Sequence, residues 1–162
     1  MFAFPLPVSQ TPPERFHAAL RALRLLRDLQ RTRRPVTDTD RAILCGWPGM
    51  GDGRIINLAF RTGGHPVTQL ADLLNADEQA SLRASSLTSY YTPAWLVRAI
   101  WQALAHMGAR RQTRPLRVAE LGAGIGGFLG HAPAWVGQAL DRPVLVERDP
   151  IASQIAALLF PD

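Results

Sequence analysis

The sequence predicts a mixed α/β chain, with a helical region over residues 1–89 and a smaller α/β unit over residues 90–162. Two observations predict this division. In the first region apolar residues recur at helical spacing, as in Phe16, Leu20 and Leu23. In the second region two short apolar runs, each containing or ending in a glutamate, flank a glycine-rich turn, which is typical of alternating strands and helices.

The first helix begins at a capping signal. Thr11 can serve as the N-cap, a proline follows at the first helical position, and Glu14 is placed to reach back to the cap. Four arginines cover much of the side opposite the apolar residues, and we interpret them as a solvated face rather than a phosphate-binding one. They are Arg21, Arg24, Arg27 and Arg31. Residues 31–35 are expected to end the helix.

Two shorter helices are expected before residue 90. The glycine-rich stretch 45–64 indicates an irregular loop with a short apolar segment over 55–60. A helix over 67–74 follows, and Asn75, with Glu78 three residues later, predicts the start of another over 76–85.

In the second region, Thr92 is expected to cap a helix that starts at Pro93 and ends near Gly108. Strands are predicted over 116–121 and 143–147, with the glycine turn and a short helix between them and a last helix over 150–160. The apolar side of the helix after Pro93 is predicted to carry Trp95, Leu96, Ile100, Ala103 and Leu104.

The composition indicates which partners and which cellular compartment suit the chain. The chain has 18 basic residues, all of them arginine, against 13 acidic ones, and its net charge of +5 suits a polyanion such as nucleic acid without specifying one. The single cysteine, Cys45, cannot form an internal disulfide or a multi-cysteine zinc site, so a reducing compartment, the cytoplasm, is expected. The first residues do not resemble a secretory signal, and no apolar run is long enough to span a membrane.

The candidate ligand-binding segment is the glycine-rich turn of residues 122–127, called the glycine turn below. Glycines there permit a positive φ and let a ligand lie against the backbone, where a side chain would collide. Glu147, at the end of the second predicted strand, is placed to accept hydrogen bonds from the ribose hydroxyls of an adenosine-containing cofactor.

The same turn also fits the dinucleotide pattern GxGxxG, with Gly122, Gly124 and Gly127 in the glycine positions, so a nicotinamide or flavin cofactor is the alternative. Two features argue against it. Glu120 would suit a cationic amino group and would be poorly placed beside a pyrophosphate. A dinucleotide-binding domain also usually opens with its glycine strand, whereas a long helical region comes first here.

Three strings resemble motifs X, I and II of the adenine-N6 DNA methyltransferases, in the order of the gamma group. They are Tyr-Tyr-Thr-Pro at 90–93, Val-Ala-Glu-Leu-Gly-Ala-Gly-Ile-Gly-Gly-Phe at 118–128 and Leu-Val-Glu-Arg-Asp-Pro at 145–150. The resemblance covers roughly residues 84–162. Matches at 126–133 and 155–161 are further similar to the very large methylase-helicase proteins of plasmids and phages.

The resemblance implies a partial Rossmann-like methyltransferase fold, S-adenosylmethionine as the cofactor, no metal, and DNA as the partner of the complete protein. Thr92 would lie near the methionine carboxylate. Glu120 and the glycine turn would lie beneath the methionine, and Glu147 would contact the ribose. The implied cofactor-binding residues are Tyr91, Thr92, Pro93, Glu120, Gly122, Gly124, Gly126, Phe128 and Glu147. Structural alternatives are a turn cap for Glu120, a helix cap for Thr92 and a core position for Phe128.

The sequence departs from the family at the catalytic motif. The string of Asn or Asp followed by Pro-Pro and an aromatic residue is absent, and Asp141-Arg-Pro143 does not replace it, so no catalytic residue is assigned. Two strands would also leave Val118 and Leu121 without a neighbour on one edge of the sheet, with unpaired backbone groups and apolar surface there. A gene remnant, a fragment, and one half of an enzyme completed by a second chain are the explanations. A non-enzymatic DNA or protein interaction module is the further alternative.

Overall fold

The computed structural model describes residues 3–5, 10–49, 51, 54, 70, 72–86 and 88–161. Within these residues the architecture is helix-rich, with a small parallel sheet, and is α/β at that coarse level. The two strands described are too few to define a Rossmann-like fold. The helices are α1 (Pro12–Thr32), α2 (Asp38–Leu44), α3 (Ala76–Ser85), α4 (Ala94–His106), α5 (Gly127–Gly130), α6 (Ala134–Ala139) and α7 (Pro150–Leu159), with a 3-10 turn at Ala109–Arg111; the strands are β1 (Ala119–Leu121) and β2 (Val144–Val146).

Helix α1 begins where the capping signal predicts. The backbone N–H and the hydroxyl of Thr11 both donate to the Glu14 carboxylate, at 2.7 and 2.8 Å. The helix ends at Arg33, whose left-handed φ of 51° lets its N–H reach the carbonyl of Leu29 at 2.9 Å. The predicted apolar residues are buried along its length: Phe16, Leu20, Leu23 and Leu26.

One arginine of the predicted solvated face is instead part of the packing. The guanidinium of Arg27 donates to the carbonyl of Leu73 at 2.9 Å and forms an ion pair with the nearly buried Glu78. Glu78 also belongs to the predicted capping box of α3, where the Asn75 side chain accepts its N–H at 2.9 Å. The interpretation of Arg27 as solvated is therefore wrong, because its guanidinium is held by the carbonyl of Leu73 and by Glu78 in the first turn of α3.

Helix α2 follows a capping box that was not anticipated. The N–H of Thr37 donates to Asp40 at 2.8 Å, and the N–H of Asp40 donates to the Thr37 hydroxyl at 3.2 Å. Arg34 adds an ion pair to the buried Asp40 carboxylate. The apolar segment predicted over 55–60 and most of the helix predicted over 67–74 lie outside the described residues.

Strands β1 and β2 are parallel, with Ala119 opposite Val144 and Leu121 opposite Val146. The first strand was predicted to start at 116, but only an isolated bridge joins Leu116 to Leu140. Between this bridge and the ladder, residues 117–118 on one segment face residues 141–143 on the other. The second segment is one residue longer there, so the pairing is interrupted.

Helix α4 buries a different side from the one predicted. Ala94, Val97 and Trp101 are buried, whereas Trp95 is 70% exposed and Leu96 is 37% exposed. The helix is apolar on nearly every side, so periodicity does not select the packed one. The Trp101 indole fixes it by donating to the carbonyl of Phe128 at 2.8 Å.

Thr92 is not the N-cap of α4. That position belongs to Pro93, whose φ of −58° and ψ of 140° keep it outside the helix, and no side chain caps the first turn. The Thr92 hydroxyl is therefore not used to start the helix.

The main core joins both ends of the chain. Leu23 and Leu26 of α1, Leu44 of α2, and Ile151 and Ile155 of α7 belong to one buried cluster. The division at residue 90 into two domains stays a prediction, since residues on both sides of it share this core. A smaller cluster consists of Val97, Trp101 and Val136, with half-buried neighbours that include Val118.

One face of the sheet is uncovered. Leu121 is 79% exposed, Val144 55% and Val146 49%. The expected exposed apolar surface is found at Leu121, which pairs with Val146 on one side only among the described residues, whereas Val118 packs against the smaller cluster. Among the described residues, no helix has the length and apolar character needed to cross a membrane.

Candidate functional site

The glycine turn joins β1 to α5 at the carboxyl end of the sheet. Gly122, Gly124 and Gly126 have φ values of 68°, 55° and 84°, which L side chains rarely adopt. Their positive φ values confirm the physical reason for which glycine was expected here.

Hydrogen bonds to β2 and to Glu147 hold the turn in place. The N–H groups of Gly122 and Ala123 both donate to the carbonyl of Val146, at 2.8 and 3.0 Å. The next N–H, of Gly124, donates to the Glu147 carboxylate at 2.7 Å. These three amides are therefore used within the protein rather than presented to a ligand.

Glu147 braces this turn. One of its oxygens accepts from Gly124, and the other accepts from the N–H of Asp149 at 2.7 Å. Asp149 in turn caps α7, accepting from Ile151 and Ala152 at 2.9 Å each. A ribose contact by Glu147 stays a prediction; its carboxylate already has two backbone partners.

Glu120 lies on the opposite side of the turn, at the start of α5. Its Oε1 accepts from the N–H of Phe128 at 3.1 Å, while its Oε2 is buried without a hydrogen-bond partner in the part of the chain that the structure describes. Burial raises the pKa of Glu120, and the N–H groups of Phe128 and Leu129 partly offset this. The site thus contains a buried acceptor that a donor would satisfy.

A cleft of about 1140 Å³ opens between this turn and the N-terminal helices. This exceeds the roughly 300–1,000 Å³ of typical small-ligand sites. Six of the predicted cofactor residues line it: Tyr91, Thr92, Pro93, Glu120, Gly122 and Phe128. Gly124, Gly126 and Glu147 lie behind this lining.

The Tyr91 ring covers the turn. A Cβ at Gly124 would lie 2.6 Å from Tyr91 Cε1, and one at Gly49, whose φ is 66°, would lie 3.3 Å from Tyr91 Cζ. The ring therefore lies close to two glycines, one after α2 and one in the turn. Desolvation by the cleft, reinforced by the charges of Asp149 and Glu147, raises the pKa of the Tyr91 hydroxyl.

Gly126 has a packing role. A side chain there would collide with the ring of Phe160 just after α7. Gly122 and Gly127 differ, because among the described residues no atom beyond the adjoining residues and their own helix lies within 4 Å of the position that a Cβ would take. Open space for a ligand against the backbone is therefore found at Gly122 and Gly127.

Sequence reasoning missed the second wall of the cleft. It is formed by α1, α2 and the segment after them, including Arg15, Arg21, Cys45 and Trp47. Burial raises the pKa of the Cys45 thiol to about 12, so this cysteine is not a ready nucleophile. The glycines around the buried Trp47 were the available signal, since Gly49 accommodates Tyr91.

The described residues contain no cluster of three or more histidine, cysteine, aspartate or glutamate side chains suited to a metal ion. No protein-family model matches the chain, and comparisons with curated proteins and with solved structures also find no match.

Proposed function

We propose that this chain is the S-adenosylmethionine-binding part of a methyltransferase related to the adenine-N6 DNA methyltransferases. The observation that carries the proposal is the Glu120 carboxylate at the start of α5, with one oxygen on the Phe128 amide and the other buried without a partner among the described residues. An α-ammonium group would satisfy that oxygen with a charge-assisted hydrogen bond.

The same arrangement disfavours the dinucleotide alternative. A pyrophosphate normally rests on free amides at the glycine turn and on the helix that follows it. Here the amides of Gly122, Ala123 and Gly124 have protein acceptors, and Glu120 takes the amide of Phe128. A carboxylate at that position would also repel a pyrophosphate.

The residues of the cleft fit the remaining parts of the cofactor. Thr92 lines the cleft with a hydroxyl that is not used as a helix cap, and Phe128 and Tyr91 supply apolar surface beside the turn. Bound S-adenosylmethionine would supply an electrophilic methyl group. Because the family's catalytic string is absent from the sequence, we expect no methyl transfer by this chain alone.

DNA as the partner of the complete protein is part of the same proposal. Exposed arginines near the start of the two strands are compatible with a polyanion, since Arg117 and Arg142 form no ion pair within the described residues.

Calorimetric titration with S-adenosylhomocysteine and with NAD tests the cofactor proposal. We expect the first to bind and NAD not to bind, and Glu120→Gln to weaken binding by about tenfold or more, because the charge that pairs with the ammonium is lost. Asp141→Asn, at an exposed carboxylate, is the matched control and should bind as the wild type does.

Preference for NAD, or a Glu120→Gln variant that binds as tightly as the wild type, contradicts the proposal. A folded chain that binds neither ligand favours the interaction module. Glu120→Gln is the sharper test than a change at Glu147, because Glu147 holds the turn through two backbone hydrogen bonds.

A further inference from the structure

The cleft is lined by side chains of both charges. Glu120, at the glycine turn, contributes the acidic group, and Arg15 and Arg21 of α1 contribute basic groups. A lining with both kinds of group suits a ligand that carries both charges, such as an amino acid with its ammonium and carboxylate groups.

The arginines of α1 differ in what they already bind. Arg15 donates to the carbonyl of Pro48 at 3.4 Å, Arg27 is paired with Glu78, and Arg31 is paired with Asp28 at 2.8 Å. Arg21 forms no hydrogen bond or ion pair within the described part of the chain, and it is exposed. Its guanidinium is therefore available to a ligand in the cleft.

Arg21 is also supported by rigid structure. It belongs to the middle of α1, and its neighbours Leu20, Ala22 and Leu23 are all buried in the main core. A cation on a fixed helix can hold an anion with less loss of conformational entropy than one on a loop.

We propose that Arg21 binds the carboxylate of the amino-acid end of the ligand, while Glu120 binds the ammonium. The inference rests on the proposed function, and it makes the N-terminal helical region part of the cofactor site. A planar guanidinium pairs with a carboxylate through two parallel hydrogen bonds, whereas the neutral Thr92 hydroxyl in the same cleft cannot balance the charge.

The test compares S-adenosylmethionine with decarboxylated S-adenosylmethionine, which keeps the ammonium and lacks the carboxylate. Wild-type protein should bind the complete cofactor about tenfold more tightly. Arg21→Ala should remove this preference by weakening only the complete cofactor, and Arg21→Lys should restore part of it. Glu120→Gln should weaken both ligands.

Arg31→Ala is the matched control, because it removes the same charge from the same helix outside the cleft. It should leave both affinities unchanged. Circular dichroism should show that Arg21→Ala remains folded, as expected for an exposed side chain with no protein partner.

Equal wild-type binding of the two ligands, or equal weakening of both by Arg21→Ala, overturns the role of Arg21 and leaves the proposed function standing. Failure of the wild type to bind either ligand, with the fold intact, overturns both.

Discussion

At the scale of single residues, Glu120 and Glu147 have different roles at the glycine turn. Both oxygens of Glu147 accept hydrogen bonds from backbone amides, so its contribution is to hold the turn against the end of β2. One oxygen of Glu120 accepts a hydrogen bond from the Phe128 amide, and the other is buried without a partner among the described residues. A buried acceptor without a donor costs stability, which is common at sites where a ligand supplies the missing group.

Glu120→Gln should therefore stabilise the free protein at neutral pH. Because folding raises the pKa of Glu120 above its ordinary value of 4.5, the folded state holds the proton more tightly, and the contribution of Glu120 to stability falls as pH rises from 4.5 through the raised pKa of the folded state. The variant does not ionise there. Thermal unfolding should show a higher melting temperature for it at pH 7, and a difference that shrinks by pH 4.

Asp141→Asn is the matched control, because Asp141 is exposed, and at pH 7 its melting temperature should equal that of the wild type. A Glu120→Gln variant that is less stable than the wild type at pH 7, with the gap closing in acid, would mean that the ionised carboxylate stabilises the fold.

At the scale of elements, two adjacent glycines should respond in opposite ways to a methyl group. Gly126 has a φ of 84°, and its added Cβ would collide with Phe160, whereas Gly127 opens α5 with nothing within 4 Å. Gly126→Ala should destabilise the chain by about 1–3 kcal/mol, from backbone strain and overpacking. Gly127→Ala should be neutral or stabilising by up to about 1 kcal/mol.

Urea unfolding measures both variants. Adding Phe160→Ala to Gly126→Ala relieves the collision but not the strained φ, so the double variant separates the two costs. Equal effects at the two glycines would contradict the assigned turn geometry.

Local signals explain which elements the sequence predicts. Thr11 with Glu14 and Asn75 with Glu78 act within one helical turn, so both helix starts could be predicted. Thr37 and Asp40 form the same kind of capping box, which marks the start of α2. The sequence also indicated the positive-φ glycines, because only the backbone of that turn was involved.

Other features depend on contacts between distant residues. The packed side of α4 is chosen by the bond from Trp101 to Phe128, and the partners of Glu147 exist only once β2 meets the turn. Arg21 could not be assigned to the cleft from the sequence, because the cleft is lined by α1 and by the glycine turn, which are far apart in the chain. These features require tertiary structure, so periodicity and spacing do not reveal them.

At the scale of the whole molecule, the main core makes the two halves interdependent. Ile151, Ile155 and Leu159 of α7 are each no more than 2% exposed, and their cluster includes Leu23 and Leu26 of α1. The cleft lies between the same two halves, so binding and stability depend on one packing arrangement. A ligand that contacts both walls should stabilise the entire chain.

The segment 90–162 should consequently not fold alone. Without residues 1–89, the apolar face of α7 loses its partners in α1 and α2, and a sheet of two strands with an exposed face cannot replace them. A nitrogen–proton NMR spectrum of the segment should be poorly dispersed, and the full chain should unfold in one cooperative transition. Mixing the segment with separately produced residues 1–89 should recover dispersion. A well-dispersed spectrum from 90–162 alone, with a sigmoidal unfolding curve, would show that it forms an independent domain.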